Sequence, residues 1–542
     1  MTDALLRISD LTVALPPGAD REYAVEDISY EVFPGEILCV VGESGSGKSI
    51  TASAVMGLLP RGVRPVSGEV MFAGQDLLQL KERKHRALRG KEIGMIFQEP
   101  MTALNPLMRV GDQIAEVFEA HRALPSSERQ ARALELLKEV GIPQPERAIR
   151  AYPFELSGGQ RQRVMIAMAL ALEPKLLIAD EPTTALDVTT QAQILELIRD
   201  LQRHRQMAVM FITHDFGVVA EIATRVCVMR HGRILELGSR DDVLDNPRHA
   251  YTRALLEAIP SDAAPPQRSP LAPSPLLEVS QLNRVFRSGR SLFKPARSVQ
   301  ALDDVSFTLS RGETIGIVGE SGSGKSTLGR CIVRLERPDS GQIVLNGVPL
   351  SSLSGQELRR QRHQVQMVFQ DPYASLNPRT RVGMAIAQGP IANGVARAEA
   401  LARADELLAT VGLEGSADRF PHEFSGGQRQ RIGIARALAL NPELIVADEA
   451  VSALDVSIQA QVLELLEDLK QRFSLSLLFI THDLRVAAQI CDRIIVMQKG
   501  RIVEQGLARD VFLNPQDAYT RQLLEAIPGR HHAHHDEATT IT

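Results

Sequence analysis

Two segments of this sequence combine the glycines, lysine and serine that can hold a chain of phosphates. Gly42-Glu-Ser-Gly-Ser-Gly-Lys-Ser49 follows the apolar run 37–41, and Gly319-Glu-Ser-Gly-Ser-Gly-Lys-Ser326 follows the run 314–318. The glycines let the backbone curl so that its N–H groups point at phosphate oxygens, and a helix that starts at the loop adds its positive end. The lysine then reaches the β- and γ-phosphates, and the serine ligates Mg²⁺. Both segments therefore predict a strand, loop and helix for nucleotide binding. The predicted contact residues are Gly42, Ser44, Gly45, Gly47, Lys48 and Ser49 in the first loop, and Gly319, Ser321, Gly322, Gly324, Lys325 and Ser326 in the second.

An apolar run that ends in two acids follows further along the chain after each loop. The two runs are Leu176-Leu-Ile-Ala-Asp-Glu181 and Leu444-Ile-Val-Ala-Asp-Glu449. Such a run is typical of a strand buried on both faces of a parallel sheet, with its carboxylates at the edge where these sheets bind ligands. We expect Asp180 and Asp448 to hold Mg²⁺ through water. We expect Glu181 and Glu449 to polarise the attacking water as general bases.

A third repeated motif opens a helix in each half. Leu156-Ser-Gly-Gly-Gln160 and Phe424-Ser-Gly-Gly-Gln428 precede arginine-rich helical patterns. Serine at a helix start caps the backbone, and two glycines leave N–H groups exposed, so each motif predicts a second phosphate-binding helix end. The residues concerned are Ser157, Gly158 and Gly159, and Ser425, Gly426 and Gly427.

All these motifs lie in two copies of one long segment. Ala4-Leu-Leu-Arg-Ile-Ser-Asp-Leu11 returns as Pro275-Leu-Leu-Glu-Val-Ser-Gln-Leu282. A repeat of this length indicates duplicated domains. The proline-rich stretch between the copies favours an extended linker, and the four clustered histidines near the end favour a solvated tail over a metal site. The predicted organisation is domain 1 at 1–262, a linker at 263–275, domain 2 at 276–528 and a His-rich tail at 529–542.

Composition excludes several classes of protein. The chain has 542 residues, of which 44% are hydrophobic, 23% charged and 4% aromatic, with a net charge of -5. A single core stops growing at about 250 to 300 residues, so two soluble domains are expected. Few aromatic rings and no basic excess argue against nucleic-acid binding. No run approaches about 18 apolar residues and the start lacks the apolar core of a signal peptide, so we expect the chain to stay in the cytosol.

The order of the motifs resembles that of ABC-type ATPase domains. Besides the loop, the Ser-Gly-Gly motif and the acid pair, the first half carries Gln98, Ala185-Leu-Asp187 and His214, and the second carries Gln370, Ala453-Leu-Asp455 and His482. The resemblance covers residues 1–528. It implies an α/β fold of two tandem P-loop NTPase (ABC ATPase) domains, each with a mostly parallel sheet core, an antiparallel β part and a helical subdomain. It also implies ATP and Mg²⁺ as cofactors.

In that family two domains stack head to tail, and each ATP lies between the loop of one and the Ser-Gly-Gly helix end of the other. The resemblance implies two such composite sites. The first would join Lys48, Ser49, Gln98, Asp180, Glu181 and His214 to Ser425, Gly426 and Gly427; the second would join Lys325, Ser326, Gln370, Asp448, Glu449 and His482 to Ser157, Gly158 and Gly159. The histidines would contact the γ-phosphate and hold glutamate and water in line. The glutamines would sense Mg²⁺ and the attached transporter.

Finer features resemble the ATPase subunits of bacterial peptide, nickel and opine importers. These features are the segments 97–106 and 369–378 and the repeated ends Tyr251-Thr-Arg-Ala-Leu-Leu256 and Tyr519-Thr-Arg-Gln-Leu-Leu524. The fusion of both ATPases, together with the segment 447–455, is most similar to glutathione and dipeptide importer ATPases. The resemblance implies one fused chain that supplies both ATPase domains at the cytoplasmic face of the inner membrane. Its partners would be two separate permeases and an external substrate-binding protein.

Alternatives remain for the transported substrate and for the class of protein. Four substrates stay open, in descending order of expectation: peptides, glutathione, nickel and opines. A soluble tandem ABC protein acting on ribosomes or DNA is the rival, but the short proline linker and the lack of zinc-binding cysteine pairs favour a transporter. No Fe–S cluster is expected, because the cysteine-bearing extension of some relatives is absent.

The two halves differ at one position of the resemblance. Tyr23 stands where ABC domains place an aromatic ring that stacks on adenine, but the equivalent residue of the second half is Gln300. Since stacking on a ring is worth about 1 to 3 kcal/mol, we predict weaker nucleotide binding at the second site. Phe293, in a nearby insertion, could substitute for the missing ring.

Overall fold

The computed structural model of this chain describes residues 3–184, 186–260, 266, 274–287, 298–451 and 454–529. Contacts divide the chain into two units: unit 1 comprises Met1–Leu186, Thr190–Ile259 and Pro528–Thr542, and unit 2 comprises Asp187–Thr189 and Pro260–Ile527. Several positions named above lie outside the described residues, namely Ala185, Ala453, Phe293, most of the stretch 263–275, and the tail from 530 onward.

Unit 1 contains a four-stranded antiparallel sheet and a six-stranded, mostly parallel sheet. Its strands are β1 (Leu6–Ala14), β2 (Tyr23–Val32), β3 (Ile37–Val41), β4 (Arg64–Phe72), β5 (Gln75–Asp76), β6 (Ile93–Ile96), β7 (Leu176–Asp180), β8 (Ala208–Thr213), β9 (Arg225–Arg230) and β10 (Arg233–Ser239). The strand orders are β2-β1-β4-β5 and β10-β9-β3-β8-β7-β6, and β10 is antiparallel to β9. Strand β3 therefore lies in the middle of the larger sheet, between β8 and β9.

The apolar run before the first loop is continuous because β3 is covered on both faces. Ile37, Cys39 and Val41 face one core, whereas Leu38 and Val40 face the other, and all are buried. A strand buried on both faces needs no polar alternation. The helices of unit 1 are α1 (Lys48–Met56), α2 (Glu82–Leu88), α3 (Pro100–Ala103), α4 (Val110–Ala120), α5 (Ser126–Glu139), α6 (Pro145–Ala148), α7 (Gly158–Leu170), α8 (Val188–Arg205), α9 (Phe216–Ile222), α10 (Arg240–Asp245) and α11 (Ala250–Glu257).

Unit 2 repeats this architecture. Its strands are β11 (Pro275–Arg287), β12 (Ser298–Ser310), β13 (Thr314–Val318), β14 (Ser340–Leu345), β15 (Val348–Pro349), β16 (Val365–Val368), β17 (Leu444–Asp448), β18 (Ser476–Thr481), β19 (Arg493–Gln498) and β20 (Arg501–Leu507). Its helices are α12 (Lys325–Ile332), α13 (Gly355–Arg362), α14 (Pro372–Ser375), α15 (Val382–Ala392), α16 (Arg397–Thr410), α17 (Gly426–Leu438), α18 (Val456–Phe473), α19 (Leu484–Ile490), α20 (Ala508–Leu513) and α21 (Ala518–Glu525). The strand orders, β12-β11-β14-β15 and β16-β17-β18-β13-β19-β20, match those of unit 1.

The predicted α/β fold class is confirmed, with a mostly parallel sheet, an antiparallel β part and a group of helices in each unit. The helical part inserts between β6 and β7 in unit 1 and between β16 and β17 in unit 2. Among the described residues, no helix combines the length and apolar character needed to cross a membrane. The four cysteines are buried free thiols.

Candidate nucleotide-binding and hydrolysis site

The first glycine-rich loop joins the buried end of β3 to the start of α1, and the second joins β13 to α12. All predicted contact residues of both loops lie between the strand end and the first turn of the helix. Gly42 has φ +148°, and a Cβ there would lie 2.1 Å from the carbonyl oxygen of Met229. The equivalent Gly319 has φ +153°, and its Cβ would lie 2.2 Å from the carbonyl oxygen of Met497. Only glycine fits where the loop leaves the sheet.

The loop lysines are buried and bind carbonyls of their own loops. Lys48 Nζ donates to the carbonyl oxygens of Gly42 at 2.5 Å and Glu43 at 3.0 Å. In unit 2, Lys325 Nζ donates to the carbonyls of Gly319 at 2.7 Å and Glu320 at 2.9 Å. Burial lowers the pKa of Lys325, although Glu449 and Asp448 oppose that shift. Each ammonium group thus lies within its loop as a cation available to phosphate oxygens.

A serine and an aspartate form the predicted metal-ligand pair in each unit. Ser49 Oγ donates to Asp180 Oδ1 at 2.9 Å, and Ser326 Oγ donates to Asp448 Oδ1 at 2.8 Å. Burial raises the pKa of both aspartates, and the serine hydroxyls act in the opposite direction. One hydroxyl and one carboxylate, both hard oxygen donors, suit Mg²⁺ that also keeps water and phosphate ligands.

The glutamate after each aspartate has a left-handed backbone. Glu181 has φ +46° and Glu449 has φ +47°, directly after the last residues of β7 and β17. Their N–H groups donate to the carbonyls of Ile212 and Ile480, both at 2.9 Å. A non-glycine residue in this region costs about 1 to 3 kcal/mol, and such strain is concentrated at functional sites. This left-handed residue therefore ends the strand, so that the aspartate belongs to the buried strand and the glutamate does not.

In unit 1 the Glu181 carboxylate is held by three side chains that the sequence does not bring near one another. Gln98 Nε2 donates to Oε2 at 2.8 Å, Thr184 Oγ1 donates to Oε2 at 3.0 Å, and His214 Nδ1 lies 3.3 Å from Oε1. Burial acts to raise the pKa of Glu181, but the nearby His214 and the charge of Lys48 outweigh it and lower the pKa to about 2. Glu181 is therefore ionised at neutral pH and can accept a hydrogen bond from water.

Unit 2 brings the corresponding residues together with a looser histidine contact. Gln370 Nε2 donates to Glu449 Oε2 at 2.6 Å, and His482 Nδ1 lies 3.9 Å from the same oxygen. Each histidine follows a strand and precedes an aspartate that caps the next helix: Asp215 accepts from Gly217 N at 2.8 Å, and Asp483 accepts from Arg485 N at 2.8 Å. Strand and cap together fix the backbone of the histidine.

The Ser-Gly-Gly motifs open α7 and α17 with reciprocal caps. Ser157 Oγ accepts from Gln160 N at 3.3 Å while Gln160 Oε1 accepts from Ser157 N at 3.0 Å, and Ser425 and Gln428 repeat both distances. A Cβ at Gly159 would lie 2.5 Å from the Thr190 side chain, so this glycine permits close packing. Ser157 and Gly158 are exposed, as are Ser425 and, in part, Gly426. The helix ends therefore present N–H groups to solvent, where a phosphate could bind them.

Tyr23 and Gln300 lie at equivalent places beside the two loops. The next residues, Ala24 and Ala301, place their carbonyl oxygens 2.8 Å and 2.4 Å from a Cβ built on the last loop glycines, Gly47 and Gly324. Tyr23 begins β2 and is partly exposed. Gln300 is exposed, and its Nε2 donates to the carbonyl of Leu302 at 3.0 Å.

Two tyrosines contact the loops although sequence reasoning gave them no role there. Tyr251 Oη accepts from the N–H of Glu43 at 3.4 Å, and Tyr519 Oη accepts from the N–H of Glu320 at 2.9 Å. Burial raises the pKa of both phenols. The repeated Tyr-Thr-Arg segments contained the signal, but only the fold brings α11 and α21 to the loops. Thr184, which binds Glu181, was also missed.

Comparisons with known proteins show which proteins this chain resembles. The family model described as ABC transporter matches residues 25–184 and 302–452, and the model described as oligopeptide/dipeptide transporter, C-terminal region, matches residues 235–285 and 503–542. The chain is 49% identical over 530 residues to the peptidoglycan transport ATP-binding protein YejF of Agrobacterium fabrum, covering 97% of this chain and 96% of that protein. It is 48% identical over 558 residues to the glutathione import ATP-binding protein GsiA of Escherichia coli K12, covering 97% and 89%.

A subunit of an ABC transporter complex from Clostridium perfringens is similar in structure, with 27% identity, a TM-score of 0.40, and coverage of 48% of this chain and 100% of that one. The sequence relatives match along nearly the whole chain, and the ABC transporter model matches each half separately. The chain therefore belongs to the ABC transporter family, as an ATP-binding protein with two ATPase domains in tandem and the C-terminal region of oligopeptide/dipeptide transporters.

Proposed function

We propose that this chain hydrolyses ATP to drive the import of dipeptides, oligopeptides or glutathione through separate membrane permeases. The observation that carries this proposal is the 47–49% identity, along 97% of the chain, to proteins named for glutathione import and peptidoglycan transport. The match to the oligopeptide/dipeptide C-terminal region supports a peptide-class substrate. The chain works at the cytoplasmic face of the inner membrane with two permeases and an external substrate-binding protein.

The residues described above divide the chemistry of hydrolysis between them. Lys48 and Lys325, together with the loop N–H groups, bind the β- and γ-phosphates and offset the charge that develops on them. Glu181 and Glu449 accept a hydrogen bond from the attacking water and align it with the γ-phosphorus.

His214 and His482 orient each glutamate and contact the γ-phosphate. Gln98 and Gln370 bind the same carboxylates, so a movement of either glutamine changes the position of the base. Gln98 comes just after β6 and Gln370 just after β16, where the helical part of each unit begins. This contact therefore connects the catalytic carboxylate to the segment that meets a permease.

Magnesium fits the paired oxygens of Ser49 with Asp180 and of Ser326 with Asp448, with Gln98 and Gln370 as further ligands. When bound, it neutralises charge on the β- and γ-phosphates. The exposed N–H groups at the starts of α7 and α17 supply a further phosphate-binding element.

The test is uptake by membrane vesicles that contain the purified transporter with its substrate-binding protein. Labelled dipeptide, labelled glutathione and Ni²⁺ are supplied separately, with and without ATP. We expect ATP-dependent accumulation of dipeptide or glutathione, and its loss in the double variant Lys48→Ala/Lys325→Ala. Accumulation of nickel alone, or of no solute while ATP is hydrolysed, would contradict the proposal.

A further inference from the structure

Tyr251 and Tyr519 stand at equivalent places near the end of each unit. Each is the second residue of its helix, α11 or α21, and both side chains are buried. Both helices lie within the segments that match the oligopeptide/dipeptide transporter C-terminal region, 235–285 and 503–542. This region of the chain therefore contributes one side chain to each phosphate-binding loop.

The backbone of each tyrosine is fixed at the start of its helix. His249 in unit 1 and Asp517 in unit 2 accept a hydrogen bond from the N–H of the tyrosine, at 3.0 Å and 2.8 Å. Glu236 of β10 and Glu504 of β20 each bind two backbone N–H groups of the turn before the helix. Each tyrosine is thus connected to the last strand of the sheet.

The first peptide group of each loop is bound on both sides. The carbonyl of Gly42 accepts from Lys48 Nζ at 2.5 Å, and the N–H of Glu43 donates to Tyr251 Oη at 3.4 Å. In unit 2 the corresponding distances are 2.7 Å to the lysine and 2.9 Å to the tyrosine. The carbonyl and the N–H of a trans peptide point in opposite directions. One peptide plane therefore lies between the loop lysine and the tyrosine hydroxyl.

This peptide group needs a partner that fixes its orientation. Gly42 and Gly319 precede it, and glycine permits the change in ψ that would turn the peptide over. In the reversed orientation the N–H would face the ammonium group, and the lysine would lose a carbonyl acceptor. Burial raises the pKa of both phenols, so each hydroxyl stays neutral and offers a lone pair to the N–H. The tyrosine thus favours the orientation that binds the lysine.

We propose that Tyr251 and Tyr519 are positioning residues for ATP hydrolysis. Each hydroxyl fixes the first peptide of its loop, and that peptide holds the lysine where it meets the β- and γ-phosphates. This inference rests on the proposed function, in which the loop lysines bind ATP. Because the hydrogen bond is 2.9 Å long in unit 2 and 3.4 Å in unit 1, the site of unit 2 depends more strongly on its tyrosine.

The experiment removes only the hydroxyl, with Tyr519→Phe and Tyr251→Phe in the full chain. Mg-ATP binding is measured at one site at a time, with Lys48→Ala as the background for unit 2 and Lys325→Ala for unit 1. We expect Tyr519→Phe to weaken ATP binding about 3- to 10-fold, as the loss of one neutral hydrogen bond does. Tyr251→Phe should weaken it less than about threefold, because its hydrogen bond is longer. In the assembled transporter, kcat/KM for ATP should fall more in Tyr519→Phe than in Tyr251→Phe.

The next residue of each helix supplies a matched control. Thr252 Oγ1 donates to Glu236 at 2.6 Å, and among the described residues Thr520 Oγ1 has no hydrogen-bond partner. Thr252→Val and Thr520→Val therefore remove a buried hydroxyl from the same helix without removing a hydrogen bond to the loop. Both should leave ATP binding unchanged, even where the Tm falls.

Hydrogen exchange separates a positioning role from a packing role. In Tyr519→Phe the amides of the loop 319–326 should exchange faster, whereas those of α21 should keep their rates, because phenylalanine preserves the packing of the ring. Faster exchange of α21 together with unchanged exchange of the loop would assign the tyrosine to packing and overturn the proposal. The Tm of each variant checks that the fold is intact.

The outcomes distinguish this inference from the proposed function. Normal ATP binding by the double variant Lys48→Ala/Lys325→Ala would overturn the role of the loops and the inference together. If that variant loses ATP binding but Tyr519→Phe binds ATP with unchanged affinity in its single-site background, only the positioning role is wrong. Equal weakening by Tyr519→Phe and Thr520→Val would also overturn it, because the effect would then come from the helix and not from the hydroxyl at the loop.

Discussion

The exchange of Tyr23 for Gln300 predicts that the two units bind ATP with different affinities. Both residues precede an alanine whose carbonyl lies against the last glycine of the loop, so their backbones have equivalent positions. A ring there can stack on adenine, whereas the Gln300 amide is hydrogen-bonded to its own strand. Stacking is worth about 1 to 3 kcal/mol, which corresponds to about 5- to 150-fold in Kd. Because Tyr23 is at the surface and one ring face stays in water, we expect about 5- to 30-fold tighter binding at unit 1.

The assay titrates Mg-ATP into hydrolysis-deficient variants of the chain in which one loop lysine is replaced. Each variant then reports the ATP affinity of the other site alone. Lys325→Ala reports the site of unit 1 and Lys48→Ala reports that of unit 2. Gln300→Tyr should strengthen binding at unit 2, and Tyr23→Gln should weaken binding at unit 1 by a similar factor. Equal affinities of the two single-site proteins, or reciprocal exchanges without effect, would refute the reasoning.

Three further predictions concern the catalytic residues and the loop. Glu181→Gln with Glu449→Gln should bind ATP normally but lose about 100- to 10,000-fold in hydrolysis, and near-normal turnover of the purified transporter would contradict their role. Gly42→Ala should lower the free energy of unfolding by at least about 2 kcal/mol, because its Cβ would meet a carbonyl oxygen at 2.1 Å. Gly18→Ala, which also has a positive φ but no atom within 4 Å, should cost less in the same denaturant titration. Since His214 and the loop lysine help to lower the pKa of Glu181 to about 2, its carboxylate stabilises the fold above about pH 4.5 and loses this effect as the pH falls toward 2. The difference in Tm between the wild type and Glu181→Gln should shrink over that window, and a constant difference would exclude the linkage.

Local sequence predicted the elements of the site because each one depends on neighbouring residues. The glycine-rich loop needs particular backbone angles and a following helix, and the acid pair needs a buried strand before it. The apolar run before Asp180 indicated a strand buried on both faces, and in β7 Leu177 and Ala179 face one core whereas Leu176 and Ile178 face the other. The repeat then showed that every element occurs twice.

The tertiary structure decided the contacts between distant residues. Gln98 and His214 meet at Glu181 because β6 and β8 lie on either side of β7 in the sheet. Tyr251, on α11, contacts the first loop although it lies 208 residues after Glu43 along the chain. The left-handed backbone of Glu181 and Glu449 also had no signal in residue type, because glutamate has no preference for it.

By itself, the sequence determined which groups are available for chemistry and that they occur in two sets, since glycine, lysine, serine and carboxylate spacings depend on covalent order. Only the tertiary structure decided which of them touch, since strand order and helix packing bring together residues far apart in the chain. It also decided that three arginines of unit 2, Arg330, Arg362 and Arg436, line one cavity although each is more than 30 residues from the next along the chain.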